Sequence, residues 1–149
     1  MIVRERFEKK YIHYGDTKFR KDKFEEIKNC SFVKPTGGLW ACRLGQKYSW
    51  RKWNETSNLK RCDKANSFTF SLVKGTKVLV INSSEELASC KYIKNLEHGI
   101  VTLDFERIKA DGIGAIEVNI SADPNLYWDL YGWDCDSVLI LNPDCVKEV

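Results

Sequence analysis

The apolar residues of this chain fall in short segments, and strand and helix patterns alternate along it without a regular spacing. Strand-length segments occur at Tyr11–Tyr14, Leu39–Arg43, Phe68–Leu72, Val78–Ile81, Ala115–Ile120 and Val138–Leu141. Helix patterns or helix-start signals occur at 21–28, 47–56 and 103–110, from Ser83 to about Lys94, and from Pro124. A doubly wound fold needs evenly repeated strand–helix–strand units. We therefore predict an α+β fold whose sheet is split or mainly antiparallel.

The length of the chain predicts one domain. It has 149 residues, the usual size of a single domain, and no repeat, low-complexity tract or Pro/Gly-rich linker. The first residues contain no apolar run typical of a signal peptide, and no stretch approaches the roughly 18 apolar residues of a membrane span. We predict a single domain over residues 1–149, a cytoplasmic location and no contact with a membrane.

Charge is unevenly distributed along the chain. Residues 1–64 carry a net charge of +9, and residues 65–149 carry −6. This asymmetry has two interpretations, a polyanionic partner for the basic half or two differently charged, solvated faces.

Two kinds of site are disfavoured by motif spacing. The six cysteines form no C-x-x-C pair, and only His13 and His98 could add ring nitrogens to a zinc site. We predict reduced thiols and no metal. Neither a G-x-G-x-x-G motif nor a P-loop is present, so those nucleotide-binding routes are absent.

Three segments combine aromatic, polar and glycine residues in ways that suit a ligand site. They are Tyr11–Asp16, the stretch from Pro35 to Cys42 followed by Tyr48, Ser49, Trp50 and Trp53, and the stretch from Tyr131 to Val146. Glycine allows close approach of a ligand to the backbone, and flat aromatic faces suit a heteroaromatic ring. Carboxylates beside apolar walls often have functional roles. The plainer interpretations are a turn glycine, aromatic core packing, and aspartates that cap backbone N–H groups.

In order and spacing these segments resemble the ADP-ribosyltransferase superfamily over nearly the whole chain. The matching stretches are Ile12-His13-Tyr14-Gly15-Asp16-Thr17, Gly38-Leu39-Trp40-Ala41-Cys42, Ser49-Trp50, and Ser137-Val138-Leu139-Ile140-Leu141-Asn142-Pro143. The resemblance implies two small sheets around a cleft that holds NAD. It also implies cleavage of the nicotinamide–ribose bond through an oxocarbenium-like state, in a transferase or an NAD glycohydrolase.

The resemblance also implies roles for individual residues. His13 or Tyr14 would meet the ribose, Gly15 would pair with the nicotinamide amide, and Trp40 and Trp50 would flank the nicotinamide ring. Ser49 matches the family's serine on the following helix. Because a strand alternates its faces, only one of His13 and Tyr14 can line a cleft.

The chain departs from the family pattern at two positions. Tyr14 precedes the glycine where the family has His or Arg, and Ser137 occupies the position of the catalytic Glu. Asp136 or Asp134 is then the candidate catalytic acid, with a β-bulge or the loop turning it into the cleft.

Other functional interpretations remain open. One is an inactive domain of the same fold that binds a protein or nucleic acid, since small members of the superfamily include bacterial toxins and phage inhibitors of host defences. Another is an unrelated α+β module whose aromatic residues are all core.

Overall fold

The structure is a computed structural model and describes residues 1–5, 9–31, 33–45, 49 and 64–149. The strands are β1 Ile2–Arg4, β2 Tyr11–Tyr14, β3 Leu39–Arg43, β4 Ser67–Leu72, β5 Lys77–Ile81, β6 Ile93–Asn95, β7 Val101–Leu103, β8 Ile113–Val118, β9 Ser137–Ile140 and β10 Val146–Glu148. The α-helices are α1 Ser84–Ala88, α2 Phe105–Ala110 and α3 Pro124–Asp129. Short 3₁₀ turns cover Lys21–Lys23, Lys64–Asn66, Glu97–Gly99, Ile120–Ala122 and Pro143–Cys145.

Eight strands form one sheet in the order β1-β5-β8-β9-β3-β2-β4-β10, and β6 and β7 form a separate hairpin. Within the described chain only β5 and β8 pair in parallel, and every other pair is antiparallel. This topology confirms the prediction of a mixed α+β fold with a mainly antiparallel sheet.

The large sheet bends so that β4, near one end, packs in one hydrophobic core with β5, β8 and β9. Phe70 and Leu72 of β4 pack in the same cluster as Val78, Ala115 and Val138 from the middle of the sheet. The bend is closed just before β10, where the Cys145 Sγ atom lies 3.6 Å from the carbonyl oxygen of Gly114 in β8. We call the side of the sheet that lines this core the concave face.

The opposite, convex face carries the short helices. Strand residues alternate between the faces, so Leu79, Ile116 and Leu139 point to the convex side. There they pack against Phe105 and Ile108 of α2 and against further buried residues, which include Leu126, Leu130 and Trp133. No helix in the described ranges is long and apolar enough to cross a membrane.

Most predicted elements are confirmed, and the main error is the helix expected over 21–28. Only Lys21–Lys23 forms a 3₁₀ turn. Beyond it the backbone bonds across to the loop before β3, because Lys28 pairs with Thr36 and Gly38 N–H donates to the Glu25 carbonyl.

Other boundaries differ by a few residues. The helix expected to reach about Lys94 ends at Ala88, and Ile93–Asn95 pairs as β6 with β7 instead. Its predicted N-cap is confirmed, since the Ser83 side chain accepts from Glu86 N–H at 3.0 Å. The helical turn predicted within 47–56 lies outside the described residues except for Ser49.

Candidate functional site

His13, at the end of β2, is held in a fixed orientation by the neighbouring strand. Its Nδ1 atom lies 2.6 Å from the carbonyl oxygen of Trp40. A carbonyl oxygen can only accept, so Nδ1 carries a proton and donates this bond. The other ring nitrogen, Nε2, lies 3.9 Å from the Asp16 carboxylate.

A cavity of about 240 Å³ opens beside His13 at one end of the concave face. Its aromatic lining consists of Phe19, Phe24 and Phe68 together with the imidazole. The ring centroids of His13 and Phe68 are 5.2 Å apart, and those of Phe19 and Phe68 are 6.2 Å apart. The remaining lining residues are Asp16, Lys18, Arg20, Lys23, Glu25, Gly38 and Leu39. We call this space the His13 cavity.

The two residues that follow His13 take different parts in the site. Tyr14 points away from the cavity, because successive residues of β2 face opposite sides and Tyr11 and His13 share the concave face. Gly15 has a φ of +122°, and its N–H donates to the Asn66 carbonyl at 2.8 Å. That N–H is therefore already used within the fold.

The Trp40 ring lies on the convex face, away from the His13 cavity. Leu39 and Ala41 belong to the concave core, so Trp40 between them faces the other way. Its ring meets that of Trp133 edge-on with centroids 4.7 Å apart. Trp40 thus contributes its carbonyl oxygen to His13, and its ring does not line the His13 cavity.

Two residues outside the predicted site, Lys34 and Trp133, contact the Trp40 ring. The Lys34 Nζ atom lies 5.1 Å from the centre of that ring. Burial lowers the pKa of Lys34, and the nearby Asp134 carboxylate partly opposes this shift. We call Lys34, Trp40, Trp133 and Asp134 the Trp40 cluster.

Asp136 is buried and accepts hydrogen bonds from the segment after β8. It is 3% exposed, and its carboxylate accepts from the backbone N–H of Ser121 at 2.8 Å and from the Ser121 hydroxyl at 2.5 Å. Val138 pairs with Ala41, so Asp136 lies near the end of β3, whereas His13 is bonded near its beginning. The structure does not bring Asp136 and His13 together.

Ser137 and two residues of the predicted site, Ser49 and Trp50, give little geometry. The hydroxyl of Ser137 is buried and donates to the Cys135 carbonyl at 2.9 Å. Ser49 is buried. Trp50 lies outside the described residues.

The opposite end of the concave core holds a buried group of ionisable side chains. Glu117 of β8 is 2% exposed and forms an ion pair with Arg43 of β3. Glu5 is buried close by, and burial raises its pKa above the usual value of 4.5. Burial together with the Glu117 and Glu5 charges also raises the pKa of Tyr11. We call these four residues the Arg43 cluster.

The residues that form the walls of the His13 cavity were not predicted from the sequence. Lys18 and Phe19 lie between predicted elements, and Phe24 was assigned to the helix predicted over 21–28. Phe68 was assigned only to a strand, and its pairing with His13 across β2 and β4 is a long-range contact. The local signal was the cluster of aromatic and basic residues over 18–24, which was interpreted as an amphipathic helix from residue 21.

The described cysteines and acidic residues give no sign of a metal or disulfide site. No disulfide joins any two of the described cysteines, which are Cys30, Cys42, Cys90, Cys135 and Cys145. Among the residues the structure describes, no group of three or more His, Cys, Asp or Glu is placed to hold a metal ion.

Comparisons were made with protein-family models, with curated proteins and with solved structures. None of the three gives a match to this chain. The function therefore has to be argued from the site itself.

Proposed function

We propose that the chain binds NAD with its nicotinamide end in the His13 cavity and cleaves the nicotinamide–ribose bond. The observation that carries this proposal is the orientation of His13. Its Nδ1–H is fixed on the Trp40 carbonyl, so Nε2 is presented beside three phenylalanine rings and the Asp16 carboxylate. A polar ring next to apolar walls suits a ligand that joins a flat heteroaromatic ring to a sugar.

The size of the cavity also fits one end of such a ligand. Pockets that hold drug-sized molecules measure about 300–1,000 Å³. At about 240 Å³ the His13 cavity takes a ring and part of a sugar and leaves the rest of a dinucleotide outside.

The chemistry assigns a task to each group. The C–N bond breaks, its electron pair leaves with nicotinamide, and an oxygen or nitrogen nucleophile adds to the ribose carbon and loses its proton. His13 Nε2 accepts a hydrogen bond from a ribose hydroxyl and orients the sugar. A carboxylate stabilises the positive charge that develops on the sugar. Asp16 is the carboxylate nearest to His13, and Glu25 also lines the cavity.

A second candidate function is binding without cleavage. It is favoured by the places of Asp136 and Ser137, which are buried in hydrogen bonds of the fold and do not line the His13 cavity. In this alternative the basic first half of the chain contacts a protein or nucleic-acid partner, and NAD is not turned over.

Calorimetric titration of the purified chain with NAD, with released nicotinamide measured in the same sample, tests both candidates. We expect binding with nicotinamide release. Binding without release, in the presence of water and of arginine- or serine-containing acceptor peptides, would favour the second candidate. Absence of binding at millimolar NAD would contradict the proposal.

Variants of single carboxylates identify the side chain that stabilises the positive charge on the sugar. Asp16→Asn should lower the rate of nicotinamide release at least about ten-fold, since one charge-assisted interaction in a transition state contributes more than 1.4 kcal/mol. Asp22→Asn is the matched control, because Asp22 is exposed on the adjacent turn and does not line the cavity. Loss of release in Asp134→Asn, with release kept in Asp16→Asn, would move the acid to the Trp40 cluster.

A further inference from the structure

A second cavity adjoins the first and shares two of its lining residues. It measures about 390 Å³ and is lined by Thr17, Lys18, Ser67, Phe68, Thr69, Glu148 and Val149. Lys18 and Phe68 also line the His13 cavity. We call this second space the Thr69 cavity. Two adjoining cavities suit a ligand made of two parts with a connecting group between them.

The wall between the cavities is held in place by the end of the sheet. Phe19 N–H donates to the Glu148 carboxylate beside β10, and the Phe19 ring packs on Phe68. These two contacts fix the backbone on the C-terminal side of Lys18. The Lys18 side chain is therefore attached to an anchored segment at the boundary of both cavities.

The rim of the His13 cavity carries three cations without acidic partners. Lys18, Arg20 and Lys23 line it, and none of them makes an ion pair within the described part of the chain. The neighbouring Lys21 differs, because it pairs with Asp144 and does not line the cavity. Of the two acidic residues in the lining, Asp16 faces His13. Unpaired cations beside a cavity attract an anionic ligand group.

We propose that Lys18, Arg20 and Lys23 form a phosphate subsite, and that Lys18 binds a diphosphate where the two cavities meet. This inference deepens the proposed function, because it assigns the connecting group of a dinucleotide to a named residue. The Thr69 cavity then receives the second half of the ligand. Its hydroxyl groups on Thr17, Ser67 and Thr69 and its Glu148 carboxylate suit the hydroxyls of a sugar.

The test uses inorganic pyrophosphate as the probe and titrates it into the full chain at low ionic strength. We expect saturable binding that weakens as salt is added. Lys18→Gln should weaken it about ten-fold, since a hydrogen bond to a charged group is lost. Lys21→Gln, the matched control, should leave the affinity unchanged. Circular dichroism of both variants verifies the fold.

The outcomes separate this inference from the proposed function. If pyrophosphate binds and Lys18→Gln weakens it while NAD does not bind, the subsite stands and the NAD proposal fails. If NAD binds and turns over equally in wild type and Lys18→Gln, the subsite is wrong and the proposed function stands. Equal pyrophosphate affinity in Lys18→Gln and Lys21→Gln would also overturn the inference. Nicotinamide alone carries no phosphate, so its affinity should not change in Lys18→Gln.

Discussion

The imidazole of His13 donates a hydrogen bond from Nδ1 to the carbonyl oxygen of Trp40 across neighbouring strands, at 2.6 Å. The ladder between β2 and β3 ends one residue earlier, at the pair of Ile12 and Cys42. A side chain thus continues the connection between the strands where their backbones stop pairing. The same bond sets the ring orientation beside the His13 cavity, so the strand connection and the proposed ligand contact depend on one residue.

The two ring nitrogens of His13 can be tested separately. In His13→Asn the amide N–H₂ can still donate to the Trp40 carbonyl, but nothing replaces Nε2. We expect NAD affinity to fall about ten-fold or more, while stability stays close to that of the wild type. His13→Ala loses both nitrogens and should also lower the free energy of unfolding by about 1 kcal/mol. Calorimetry with NAD and urea denaturation measure the two effects.

The control for this substitution is His98→Asn. His98 lies in a 3₁₀ turn with a φ of +62°, a conformation that Asn adopts readily. This variant should bind NAD as the wild type does. Unchanged NAD affinity in His13→Asn would contradict a role for Nε2 in binding.

Part of this site was predictable because its signals are local. Tyr11–Tyr14 alternates its faces, and Gly15 ends the strand, so the exposure of only one of His13 and Tyr14 to a cleft followed from strand geometry alone. The capping box at Ser83 was equally local and is confirmed. Such signals depend on residues within four positions of each other.

Features that depend on distant partners could not be predicted. The register of Ala41 against Val138 fixes the face of the sheet on which the Trp40 ring lies, and no local pattern specifies that register. Phe24 and Ile27 match helical spacing, yet the segment bonds to the loop at residues 35–38. The three-residue strands β1, β6, β7 and β10 were missed, because strands this short form only against a partner.

The ion pair between Arg43 and Glu117 should be strongly coupled. Glu117 is almost completely buried, so Arg43→Met leaves an uncompensated carboxylate in the core. We expect a loss of about 3–5 kcal/mol in the free energy of unfolding. The double variant Arg43→Met/Glu117→Leu should be more stable than Arg43→Met alone. Urea denaturation of the wild type, both single variants and the double variant gives the coupling energy.

An exposed ion pair is the comparison for this cycle. Lys109 and Glu26 lie 3.4 Å apart, and the Glu26 side chain is 71% exposed. Lys109→Met should cost less than about 1 kcal/mol. A similar cost for Arg43→Met would show that Glu117 is solvated in solution.

Glu5 should make stability depend on pH. Burial and the Glu117 charge raise its pKa, while Lys9 and Arg43 oppose the shift. The folded state therefore binds this proton more tightly than the unfolded chain. Its contribution to stability is fully present below about pH 4.5, the unfolded-state value, and is lost as pH rises through the higher folded-state pKa.

The variant Glu5→Gln removes this titration and keeps an acceptor oxygen. The free energy of unfolding of Glu5→Gln minus that of the wild type should increase from about pH 4 to about pH 7. This is roughly the range in which stability depends on the protonation of Glu. Denaturant titrations across this range measure the difference. The exposed Glu97→Gln should show no such trend, and a flat difference for Glu5→Gln would mean that Glu5 is hydrated.

Gly37 should tolerate no side chain, because the loop before β3 packs against the segment that lines the His13 cavity. Its φ is +76°, and an added Cβ would lie 2.2 Å from the Glu26 carbonyl oxygen. Gly75 has a similar φ of +88° but open space around it. Gly75→Ala should lower the free energy of unfolding by only about 1–2 kcal/mol, the cost of holding alanine in the left-handed conformation. Gly37→Ala should cost clearly more in urea denaturation and should weaken NAD binding, since the backbone at Glu25 has to move. Equal costs for the two variants would show that this contact is not maintained in solution.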